Sequence, residues 1–134
     1  MTPNAILFPM LALVGWTLLV LAMVGFRRLT SGVHPKEFRL GESAAVPPPV
    51  SLPNRNFMNL LEVPVLFYVV CLTFYVTQQV TPLALTLAWT FVALRFLHSL
   101  VHLSYNNVLH RLGFFALANF TLLALWGVLL ARLA

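Results

Sequence analysis

The sequence predicts an all-α membrane protein, a single bundle of four transmembrane helices. Three observations carry that prediction. Only 8% of the 134 residues are charged, against about 25% in soluble domains, while 60% are hydrophobic and mean hydropathy is +0.91. Four apolar runs, 6–26, 57–77, 83–103 and 112–133, stand out along the chain. Each is close to the roughly 20 residues a helix needs to cross hydrocarbon, and none alternates apolar and polar residues as a barrel strand does.

The charges are placed for a membrane rather than for nucleic acid. The net charge is +5 and the pI near 10.4. Arg27, Arg28, Lys36, Arg39 and Arg55 lie in or beside the first loop, 27–53, and Arg111 in the third, 104–111; the link around 78–81 has no charge. Both basic loops are therefore expected to face the cytoplasm, with the N- and C-termini outside. Arg132 runs against this pattern. Anionic headgroups account for the charge excess, and no nucleic-acid partner is expected. Seven arginines against one lysine hint at a GC-rich bacterium, which makes a bacterial inner membrane the expected location.

The first run, 6–26, contains no ionisable residue. No positive residue precedes it, it is too long for a signal peptide, and Arg27 and Arg28 follow it, so it is read as a retained span. Pro9 falls in its first turn, where a missing N–H is tolerated. Gly15 and Gly25 give only weak evidence of close helix approach. In the loop that follows, 46–50 is Val-Pro-Pro-Pro-Val and is expected to be extended, with Pro53 suited to the first turn of the next helix.

The second run carries the unusual chemistry. Arg55, Asn59 and Glu62 are spaced by four and three residues, one stripe on a helix. A carboxylate such as Glu62 inside a span costs about 3 kcal/mol and is a functional-site hypothesis by default. Pro64 just beyond it is expected to bend the helix and open space. Cys71, the single cysteine, lies among Val69, Val70 and Leu72 and is read as packing; no intrachain disulfide is possible.

The third run carries the complementary face. Arg95, His98, His102, Asn106 and His110 follow spacings of three, four, four and four, again one stripe. Helix four follows Arg111 after a very short link, so it is expected to run antiparallel to helix three. The two stripes are expected to face each other and build a polar pocket within the bundle. A plain Glu62–Arg95 ion pair fixing helix register is the simpler alternative. Arg55, Asn59, His98, His102, Asn106 and Arg111 exceed what register needs, however, and their surplus positive charge suits an anionic small molecule. His98 and His102 at i, i+4 could share a metal, but Arg95 would repel it and no cysteine or second carboxylate is nearby, so no metal is expected. A proton-coupled transporter uses similar residues, yet here they cluster towards one membrane face.

With these residues the chain resembles the MAPEG family, the membrane-associated proteins of eicosanoid and glutathione metabolism. Arg55-xxx-Asn59-xx-Glu62 followed by proline matches the family's helix-two signature, and Arg95-xx-His98-xxx-His102 is similar to its helix-three pattern. Arg111, sixteen residues after Arg95, matches the spacing of the catalytic arginine in the prostaglandin E synthase branch. The resemblance implies a homotrimer with glutathione bound between subunits near the cytoplasm. It implies that Arg55 and Arg27 or Arg28 pair with the glutathione carboxylates and Glu62 with its amine. Asn59, Arg95, His98 and His102 would complete the polar contacts, while Arg111 holds the sulfur as thiolate for attack on a hydrophobic or lipid acceptor. His102 stands where the family usually has tyrosine, and Leu112 and Phe115 stand where that branch has hydroxyl residues. The implied activity is therefore general glutathione transferase or peroxidase rather than prostaglandin formation. The alternative is a non-catalytic lipid- or glutathione-binding scaffold.

Overall fold

The computed structural model describes residues 2–134, which form helices α1 (Leu7–Thr30), α2 (Pro48–Leu61), α3 (Pro64–Val76), α4 (Pro82–Leu103) and α5 (Val108–Leu133). No strand occurs among the described residues. Helices α2 and α3 together make one interrupted span, Pro48–Val76, so four segments are long and apolar enough to cross a membrane.

Each helix starts and stops for a local reason. Pro3 opens a short 3-10 turn, Pro3–Ile6, that leads into α1. Arg27 and Arg28 close α1, their charges complementing the negative end of the helix dipole. Helix α4 begins with Thr81 as N-cap, its Oγ1 accepting from the Ala84 N–H at 3.1 Å, and Pro82 in the first turn. Helix α5 is capped by Asn107, whose Oδ1 accepts from the Leu109 and His110 N–H groups. Asn106, at φ +50°, turns the chain between α4 and α5; asparagine tolerates this left-handed conformation better than most residues.

Helix α2 starts earlier than the sequence suggests. Residues 46–50 were expected to be extended, but Pro48 and Pro49 form the first turn of α2 after an extended Pro47 at ψ 152°. Proline's fixed φ suits both conformations. Here burial of Val46, Val50 and Pro53 accompanies the helical one. The connection between α1 and α2 is correspondingly short. It is tied by an Arg28–Glu42 ion pair at 3.2 Å, by Arg28 over the Phe38 ring at 4.9 Å, and by the Ser43 hydroxyl donating to Glu37.

The core runs along the middle of the bundle. Leu13, Val20 and Val24 of α1, Phe67, Val70 and Phe74 of α3, Ala84, Ala88 and Phe91 of α4, and Leu122, Leu125 and Leu129 of α5 are buried. Phe67 stacks on Phe91 with centroids 4.5 Å apart. Helix α4 is the most enclosed of the spans and α5 the least. In lipid, apolar contact between helices has no hydrophobic drive behind it, so packing and interhelical hydrogen bonds carry association. The polar contacts of α4 therefore matter out of proportion to their number.

Candidate functional site

The site grows from the break in the second span. Pro64 has no N–H for the helical ladder, and its ring clashes with the carbonyl four residues earlier. The chain responds at Glu62, whose ψ of −97° leaves the helical region, so α2 ends at Leu61 and α3 restarts at Pro64. The Asn59 carbonyl, which a continuous helix would engage through the Val63 N–H, falls at this open end. It accepts instead from Arg95 Nη2 at 2.6 Å, and the Asn59 Oδ1 accepts from the same nitrogen at 2.6 Å. Broken helices are tolerated at membrane depth only where other groups engage the freed backbone. Arg95 is that group.

Arg95 is fully buried. Its guanidinium lies 5.8 Å from the Phe115 ring centroid, within cation–π range. Its Nε and Nη1 have no partner within the chain. Glu62 does not supply one: it is exposed, and the one ion pair among the described residues is Arg28–Glu42. The expected meeting of the two stripes therefore occurs through Asn59 and not through the carboxylate. The physical reason is the break, which ends helical periodicity at Glu62.

In front of this contact lies a cleft of about 220 Å³ lined by Asn59, His98, Val108, Arg111, Leu112 and Phe115. It joins the end of α2, the last turns of α4 and the first turns of α5. His98 is buried, edge-on to Phe115 at 6.0 Å, and its ring centroid is 6.0 Å from that of His102. His102 is also buried and its Nδ1 has no partner. Arg111 is half-buried; its Nη1 donates to Asn106 Oδ1 at 2.7 Å, while its Nε is buried without a partner. Val108, Arg111, Leu112 and Phe115 share one face of α5, so the cleft sets the polar groups of Asn59, His98 and Arg111 directly beside apolar side chains.

The structure brings Asn59, His98 and Arg111 to one cleft, whereas Arg95 and His102 are buried and do not line it. Arg55 of α2 and Glu62 just beyond its end are both exposed. Arg28 is engaged by Glu42 and Phe38 in the first loop. A second polar cluster was not anticipated. Ser99 Oγ, fully buried, accepts from Trp16 Nε1 at 2.8 Å and from Asn56 Nδ2 at 2.5 Å, joining α1, α2 and α4. Asn56, an amide within the segment leading into an apolar run and three residues before Asn59, was the available signal.

Among known families, the chain matches the MAPEG family over residues 6–131. Neither a curated protein nor a solved structure matches it.

Proposed function

The chain belongs to the MAPEG family, and from that membership we propose that it is a membrane-bound glutathione-dependent transferase or peroxidase. The observation that carries this reading is the cleft itself, in which Asn59, His98 and Arg111 meet Val108, Leu112 and Phe115. Its donors suit an anionic tripeptide, and the apolar side chains beside them suit a lipophilic acceptor.

Arg111 is the catalytic residue of this reading. A free thiol titrates near 8.5, and an adjacent guanidinium stabilises the thiolate. Asn106 holds Arg111 Nη1, which leaves the rest of the guanidinium for the sulfur. The thiolate forms an S–C bond to an electrophile as its leaving group departs, or two glutathiones reduce a hydroperoxide to alcohol and water while forming their disulfide. Asn59, His98 and His102 serve glutathione binding, and Arg95 supports them.

Arg55, Glu62 and Arg28 remain assigned to the glutathione carboxylates and amine, although none lines the cleft of a single chain. At about 220 Å³ that cleft falls short of the roughly 300 Å³ at which small-molecule sites begin. This favours a site completed by a neighbouring copy, in keeping with the homotrimer that the family membership implies. The basic first loop and Arg111 favour a cleft near the cytoplasmic face, with both termini outside.

The test is a glutathione titration of the purified protein, read by the ultraviolet absorbance of the thiolate. A thiolate signal that Arg111→Ala abolishes is expected. Binding without a thiolate would support the scaffold reading, and neither binding nor thiolate would leave a proton-coupled transporter as the better account. Conjugation of an aromatic electrophile and reduction of a lipid hydroperoxide then separate the two activities.

A further inference from the structure

The orientation of the Asn59 carboxamide is fixed by chemistry. Arg95 Nη2 carries two hydrogens and no acceptor capacity, so the atom 2.6 Å from it must be the amide oxygen. The flipped amide would set two N–H groups against each other. With Oδ1 and the main-chain carbonyl both engaged by Arg95, the Asn59 Nδ2 is left over. It makes no hydrogen bond within the chain and is not among the buried unpartnered atoms, while Asn59 itself lines the cleft.

We propose that Arg95 is a positioning residue, which holds Asn59 by both oxygens so that its Nδ2 amino group is presented to the cleft as a fixed donor. This assignment rests on reading the cleft as the glutathione site. Arg95 itself is fully buried and does not line the cleft, so its influence on a ligand passes through Asn59. Asn59 of α2 and Arg111 of α5 then both offer donors to the cleft, which selects a carbonyl or carboxylate oxygen of the ligand and rejects an ammonium group at that place. The same lock serves the fold, because it engages the carbonyl freed by the Pro64 break.

The two roles can be separated in the full-length protein in lipid nanodiscs, by measuring melting temperature and glutathione Kd together. Asn59→Asp keeps an oxygen for Arg95 and gives the buried guanidinium a counter-charge, but it removes the donor. Its Tm is expected to rise while glutathione affinity falls by about tenfold or more. Retained affinity in Asn59→Asp overturns the proposal. Because the new carboxylate also repels an anion, an uncharged cycle accompanies it. Arg95→Lys is expected to weaken glutathione binding several-fold in the wild-type background and to cost nothing further in Asn59→Leu. Fully additive losses would make Arg95 a direct ligand contact and overturn the positioning role. Should Asn59→Leu fail to assemble, Asn59→Ser takes its place in the cycle. If the wild type binds no glutathione, the proposed function fails. The Tm of Asn59→Asp then still decides the lock, and the absence of a rise overturns it.

Discussion

Ser99→Ala tests how far hydrogen bonds hold this bundle together. The Ser99 hydroxyl is fully buried and is the shared acceptor for Trp16 Nε1 at 2.8 Å and Asn56 Nδ2 at 2.5 Å. Removing it strands two donors on two other helices. Each stranded donor costs about 1–3 kcal/mol by soluble-protein experience, whereas interhelical bonds in bilayers average about 0.6 and reach about 1.7 kcal/mol. Two bonds of the membrane kind give a loss of about 1–3 kcal/mol, a large fraction of the stability of an ordinary domain. Thr121→Val is the control. That hydroxyl donates to the Leu117 carbonyl of its own helix at 2.8 Å, so its removal strands no other helix and is expected to be close to neutral. The assay is reversible unfolding in mixed micelles with a rising fraction of denaturing detergent, followed by near-ultraviolet circular dichroism. Trp16→Phe and Ser99→Ala share one bond, so the double variant should lose less than the sum. A Ser99→Ala protein as stable as wild type, or full additivity, would refute the reasoning.

Two further outcomes follow from neighbouring geometry. Asn106→Gly keeps a residue at ease at φ +50° but deletes the Oδ1 that holds Arg111 Nη1. Glutathione thiolate yield is expected to fall several-fold with Tm nearly unchanged; an unchanged yield would show that Asn106 does not steady Arg111. Cys71 is fully buried mid-helix, so a bilayer-permeant maleimide should label it orders of magnitude more slowly in the native protein than after detergent unfolding. Labelling at similar rates would contradict its packed position.

The broad architecture was legible because composition and run length report directly on a lipid solvent. Asn59 and Arg95 were legible because polar residues in apolar runs stand out and helical spacing places them on stripes. The identity of the partner was not. Spacing assumes a continuous helix, and Glu62 sits where the helix stops, so a three-residue step from Asn59 no longer lands on the same face. Pro64 announced a bend but not which carbonyl it would free, since that depends on what α4 brings alongside. Val46 to Val50 was misread for a related reason: proline fixes φ and leaves ψ to tertiary burial. Ser99 and Trp16 are too ordinary in membrane helices to be singled out without coordinates. Asn56 was overlooked beside a more conspicuous pattern.

The interruption in the second span also changes what mutagenesis can see. In an intact membrane helix the main chain is chemically silent, and function belongs to side chains that can be swapped one at a time. Here a peptide oxygen is one of the two anchors for a buried cation, and no exchange of residue 59 removes it. A scan through position 59 will consequently understate how strongly that cation is tethered. The missing half is reached by replacing Pro64, which would let the helix run on and the Val63 N–H compete for the Asn59 carbonyl.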